Sequence, residues 1–235
     1  MLRDFFKGHF FLFDKIEYRL EREVYGKLII TFLLIQFLFI PGIQQLSIIL
    51  SLSEFIWGNL LVVLLMFSVF FLLIRLLLSS DFLILRLHPW KDWPIVQKLY
   101  LIQVAPIALV IFIVLFNKHI KDLLAGYGNI STLILFSAIP GLLWGMLQEF
   151  VYRGLLQNVL VGKFNVIVGI LISNLLFTFG PLHFNYFNMG TDNSVEWSMF
   201  GSILLIGLLF GIIYQRSGNL WIPAILHGVW VLNWQ

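Results

Sequence analysis

Long apolar segments alternate with short polar ones along the chain, at about residues 28–50, 56–78, 99–116, 136–160, 166–184, 197–214 and 220–233. The hydrocarbon layer of a bilayer takes about 20 apolar residues of helix, and most of these segments reach or approach that length. Nothing in hydrocarbon satisfies an open backbone, so segments of this kind cross as helices. The pattern predicts an all-α fold, a polytopic transmembrane helical bundle of about seven spans. The first segment holds Pro41-Gly42, where a helix is expected to break, and the last segment is short. Ahead of them, Phe5, Phe6, Phe10, Phe13, Ile16, Leu20 and Val24 recur at near-helical spacing among six basic and five acidic residues. Residues 1–27 read as an interfacial helix, with a soluble helix packed on the loops as the alternative. Asp14 and Lys15 interrupt the apolar run too early for a signal peptide. Three regions are therefore expected: the interfacial segment 1–27, N-terminal transmembrane helices 28–136, and a C-terminal core 137–235.

Composition sharpens this. Of 235 residues, 60% are hydrophobic and 11% charged, which places the chain among multi-pass integral membrane proteins. The net charge of +3 is small, and no basic run is interleaved with aromatics, so nucleic acid is excluded as a partner. There is no cysteine, which removes disulfides, thiolate metal sites and cysteine nucleophiles. Counting Lys and Arg by loop, twelve of fifteen fall on the side of the N-terminus and two, Lys118 and Lys121, on the other, which predicts a cytoplasmic N-terminus. The fifteenth, Arg153, falls inside a span. Starting that span near Ala138-Ile139-Pro140 puts Glu149 near mid-membrane, suits proline in a first helical turn, and leaves residues 123–137 as a loop or re-entrant piece.

Ionisable side chains at membrane depth cost about 2.5–3.5 kcal/mol each on insertion scales, so they mark function by default. The C-terminal spans carry Gln148, Glu149, Arg153, Asn174, His183, His227 and Asn233. Glu149 and Arg153 are four residues apart, which puts them on one helix face as an ion pair; Gln148 lies about 100° away, on the face of Tyr152. Gly180-Pro181 is expected to loosen the helix just before His183. Each residue also has a plain reading: an imidazole bonded in the core, a structural ion pair, an interhelical hydrogen bond for Asn174, packing for Tyr152. Two histidines and a glutamate could also hold zinc with one open position, Glu149, His183 and His227 being the ligands, though no His-Glu-x-x-His supports this.

Over about residues 137–233 the chain resembles the CPBP family of intramembrane endopeptidases, which includes CAAX prenyl proteases and the bacteriocin-immunity (Abi) proteins. The family's Glu-Glu-x-x-x-Arg motif reads Gln148-Glu149-Phe150-Val151-Tyr152-Arg153 here, followed by Gly154; Phe-x-x-x-His matches Phe179 to His183; Gly218-Asn219-Leu220-Trp221 with His227 matches the third motif. The resemblance implies hydrolysis of a peptide bond in a membrane-embedded or prenylated substrate by an activated water. It implies catalytic roles at Gln148, Glu149, His183 and His227, with His183 helping to activate water and His227 helping to bind the oxyanion. The family has been described both as metalloproteases and as glutamate-dependent proteases. Two positions depart from it. Gln148 stands where the water-activating Glu is expected, and it has no proton acceptor. Val231 stands where an oxyanion-binding Asn is expected, with Asn233 two residues on. Glu149 or His183 then becomes the base. An inactive relative that binds a membrane peptide, in an immunity or scaffold role, is the alternative. A small transporter is a third reading, weakened by the lack of an internal repeat.

Overall fold

The computed structural model describes residues 22–52, 57–78, 85–95, 97–106, 109–110, 121, 125, 129–187, 195 and 197–231. Most of the interfacial segment expected at 1–27, part of the span expected at 99–116, and Asn233 lie outside these residues. No strand occurs among the described residues.

Five described helices are long and apolar enough to cross a membrane: α1 (Glu23–Ile49), α2 (Gly58–Leu77), α3 (Ile134–Lys163), α4 (Val166–His183, whose regular α-turns end at Phe179) and α5 (Trp197–Ser217). A shorter helix, α6 (Trp221–Val231), follows where the last apolar segment was expected. Large apolar side chains point outward from these helices, among them Leu205, Ile49 and Leu76. In water such a surface would be unstable; against lipid tails it is the natural exterior. The protein is an all-α integral membrane bundle.

Two expectations about proline change. Pro41 and Pro140 each follow a widened, π-type turn, Ile35–Phe39 and Ile134–Ala138. Proline has no N–H for the carbonyl four residues back, and its ring crowds that carbonyl. A wide turn just upstream absorbs both defects, and α-turns resume with the proline near their start, where no N–H is needed. The helix therefore does not break at Pro41-Gly42. Nor does the fourth apolar segment begin at Ala138: residues from Ile130 are already helical, where part of a loop was expected.

The core gathers around the second half of α3. Phe150 packs on Phe67 and Phe70 of α2 and on Trp221 of α6, with ring centroids 5.9, 5.7 and 5.5 Å apart. Tyr152 lies between Phe32 of α1 and Phe177 of α4, at 5.5 and 5.1 Å. Two glycine contacts set how closely helices approach. Where α3 crosses α6, a Cβ on Gly145 would lie 2.7 Å from the Gly228 Cα. Where α5 passes α3 and α4, a Cβ on Gly211 would lie 3.1 Å from Gln157 Oε1, and one on Gly207 would run into the Asn174 side chain. Gly207 and Gly211 form a Gly-x-x-x-Gly spacing, the pattern that lets membrane helices touch backbone to backbone.

Gly145→Val is expected to force α3 and α6 apart and cost about 1–3 kcal/mol, as overpacking does. A drop in thermal unfolding temperature in detergent checks this. Gly201→Ala, where nothing lies within 4 Å of the added carbon, is the control and should leave that temperature unchanged or raise it.

Candidate active site

The helix carrying the first motif is not an ordinary α-helix. Its α-turns end at Glu149, and Phe150–Gln157 runs as eight residues of π-helix, every one buried. Such wide turns are rare and concentrate at functional sites. Glu149 and Arg153 still meet: Arg153 Nε lies 3.3 Å from Glu149 Oε2, and both residues are 0% exposed. Arg153 also donates from Nη2 to the Gly207 carbonyl at 2.8 Å, and its guanidinium lies 5.0 Å from the Phe177 ring centroid. One turn on, Gln157 Nε2 donates to the Gly211 carbonyl at 3.0 Å. The Gly-x-x-x-Gly edge of α5 is thus a ladder of backbone acceptors for α3. The spacing was present in the sequence; that it faces Arg153 and Gln157 was not evident.

His227 reaches the same carboxylate. Its Nδ1 lies 2.7 Å from Glu149 Oε1. Since an ionised carboxylate only accepts, Nδ1 carries the proton and the acceptor lone pair of a neutral ring sits on Nε2. The ring is stacked on Phe210, centroids 4.9 Å apart. Its position is set from the start of α6. Gly218, at φ +62°, takes a left-handed turn that favours glycine, and Asn219 Oδ1 then accepts from the Trp221 N–H at 3.0 Å, capping the helix. The Gly145–Gly228 crossing completes the placement.

α4 ends its α-turns at Phe179. Gly180 is extended and Pro181–Phe187 forms 3₁₀ turns, so the chain bends just before His183. His183 Nδ1 lies 2.8 Å from the Phe177 carbonyl, which again fixes the proton on Nδ1. Phe177, which the sequence reading did not single out, meets both imidazoles edge to face, at 5.0 Å from His183 and 5.8 Å from His227. The two ring centroids are therefore at most 10.8 Å apart, the sum of those distances.

Glu149, Arg153, His183 and His227 thus share one interior region. Gln148, beside Glu149, is 7% exposed and makes no hydrogen bond to a described residue. Asn174 instead donates to the Leu204 carbonyl of α5 at 2.9 Å, an interhelical tie. Val231 is helical backbone at the end of α6. The expected zinc set does not fit this geometry. One Glu149 oxygen is bonded to His227 and the other faces Arg153, so the carboxylate serves its neighbours instead of pointing with them at a shared ion. No group of three metal-binding side chains occurs among the described residues.

Arg153→Ala leaves the Glu149 charge buried without its partner and should cost about 3–5 kcal/mol, read as lower folded yield and unfolding temperature in lipid. Replacing both partners, Glu149→Met with Arg153→Met, should recover much of that loss while leaving no acid at the site.

A family model described as type II CAAX prenyl endopeptidase Rce1-like matches residues 130–232, the stretch from the start of α3 to the end of α6. No curated protein and no solved structure matches the chain. The matched stretch holds Glu149, Arg153, His183 and His227, and over it the chain is similar to the CAAX protease family of intramembrane endopeptidases.

Proposed function

We propose that this protein is an intramembrane endopeptidase that hydrolyses a peptide bond of a prenylated, membrane-associated CAAX-type substrate. The observation that carries the reading is the 2.7 Å contact between Glu149 and His227 in the buried interior. A carboxylate on one imidazole nitrogen fixes the tautomer and raises the basicity of the other, which is the arrangement of an oriented general base. His227 Nε2 takes the proton of the attacking water and returns it to the leaving amine. Glu149 orients the ring and stabilises the imidazolium that forms. Arg153 pairs with Glu149 and holds it in place; as a group that stays charged it takes no proton. This shifts the base from Glu149 itself to His227, because one carboxylate oxygen bonds the imidazole and the other is paired with Arg153.

His183, held at Nδ1 by the Phe177 carbonyl in the same interior region as His227, supports the water. Gln148 orients the water through its amide and exchanges no proton with it. The distribution of Lys and Arg supports a cytoplasmic N-terminus.

The test is cleavage of a farnesylated peptide by the purified protein in lipid, with the released tripeptide measured by mass spectrometry. His227→Ala and Glu149→Gln should each lower kcat/KM by about 10²–10⁴-fold, the usual contribution of general acid–base catalysis. Gln148→Glu should raise cleavage if position 148 is the step that limits it. Binding of the peptide with no cleavage by either form would replace this reading with the inactive peptide-binding relative, which the Gln148 departure favours.

A further inference from the structure

Asn219 caps α6 with its side-chain oxygen, and the other end of that amide is held by Gln97, a residue outside the stretch that matches the family. Gln97 Oε1 accepts from Asn219 Nδ2 at 2.9 Å, and Gln97 Nε2 donates to the Ser217 carbonyl at 2.8 Å. The polarity of this chain is forced. A main-chain carbonyl only accepts, so Gln97 must turn its nitrogen to Ser217 and its oxygen to Asn219. Asn219 must then present its nitrogen to Gln97, which leaves its oxygen for the Trp221 N–H. Turned the other way, the Asn219 amide would set donor against donor at Trp221, and the cap would be lost. Gln97 therefore selects the orientation of the amide that starts α6.

The residues just before Gln97 grip α6 at two further points. Arg86, whose φ of +58° is uncommon for a residue with a side chain, accepts at its carbonyl from the Leu220 N–H at 3.1 Å. Leu220 in turn lies over Gly154, where an added Cβ would come 2.8 Å from Leu220 Cδ2 and 3.7 Å from Leu85 Cδ2. The start of α6 is thus wedged against the π-helix beside Arg153. Trp93, held by a 2.8 Å bond from Nε1 to the His88 carbonyl, belongs to a buried cluster with Phe210, Ile222 and Leu226. Phe210 is the ring on which His227 is stacked.

We propose that Gln97 is a positioning residue for His227: through the Asn219 cap it fixes where α6 starts and so brings the imidazole onto Glu149. His227 lies less than two turns into α6, so a shift or rotation at the helix start is carried to its ring. The contact it must make is narrow. His227 Nδ1 is 2.7 Å from Glu149 Oε1, and a displacement of about 1 Å takes such a pair out of hydrogen-bond range. Losing that contact frees the ring and its tautomer together. The effect on the Glu149–His227 contact stands on geometry alone; its consequence for rate rests on the endopeptidase reading.

The experiment compares the full native chain with Gln97→Met, an unbranched replacement that makes neither amide bond, in lipid nanodiscs with isotope-labelled histidine. Proton NMR reads the Nδ1 proton that His227 shares with Glu149, a far-downfield signal identified by its loss in His227→Gln. Cleavage of a farnesylated peptide and the unfolding temperature are measured on the same samples. We expect Gln97→Met to move that signal upfield or abolish it, and to lower kcat by about 10- to 100-fold with KM within about 2-fold, the pattern of a displaced catalytic group. An unchanged His227 signal overturns the proposal, whether or not the unfolding temperature or kcat falls, since a link that only stabilises the turn would leave the contact intact in the folded molecules. Absence of the signal from the native chain overturns it as well. Should Gln97→Met not fold, Asn219→Asp tests the link from its other end: aspartate keeps the oxygen that caps α6 and loses the donor for Gln97, so the signal must move, and an unmoved signal again overturns the proposal. A signal that depends on Gln97 in a chain that cleaves nothing keeps the positioning role and removes the hydrolase reading. Cleavage by the native chain, with the His227 signal unmoved in Gln97→Met, does the reverse.

Discussion

A single buried charge cluster constrains this bundle. Glu149 and Arg153 are both fully buried, and neither charge is tolerable in an apolar interior unless the other, and the groups around them, stay in place. Three neighbouring helices each contribute a partner. α5 supplies a glycine carbonyl, α6 an imidazole, and α4 a phenyl face. Removing any one of these helices would strand a charge. The ion pair therefore both requires the fold and organises it, and the chemistry proposed for His227 draws on the same carboxylate.

Close approach makes this possible. Between apolar helices in lipid there is little hydrophobic drive to pack, so contact comes from fit and from hydrogen bonds. At Gly145 and Gly228 the backbones of α3 and α6 nearly touch, which brings an imidazole within 2.7 Å of a carboxylate on another helix. The π-helix from Phe150 to Gln157 works in the same direction. Its wider turns leave Arg153 and Gln157 one above the other, opposite Gly207 and Gly211.

Much of this was legible in the sequence. Length and hydropathy gave the membrane class and the helical architecture, because hydrocarbon permits so few alternatives. The ionisable residues that matter stood out, since polar groups are rare in those spans and Glu149 and Arg153 fall at helical spacing. What was hidden depends on tertiary approach. A four-residue spacing does not say that His227 takes one oxygen of Glu149 and so moves the role of base to itself. Pro41 reads as a break and Pro140 as a helix start because a wide turn upstream is a backbone adjustment with no residue signature. Phe177 was passed over as one aromatic among 24 phenylalanines, and its position between two imidazoles exists only in the folded chain.

The glycine edge of α5 has a consequence for how this protein can vary. Arg153 and Gln157 grip main-chain oxygens at positions 207 and 211, and those oxygens are present whatever side chains α5 carries. Recognition of this kind cannot be erased by trimming a side chain to alanine elsewhere on the helix. It is lost only when bulk is added at the two small positions. The outward face of α5 is therefore free to drift among apolar residues and adapt to lipids of different composition, while its inward edge tolerates change in one direction only, toward nothing larger than hydrogen.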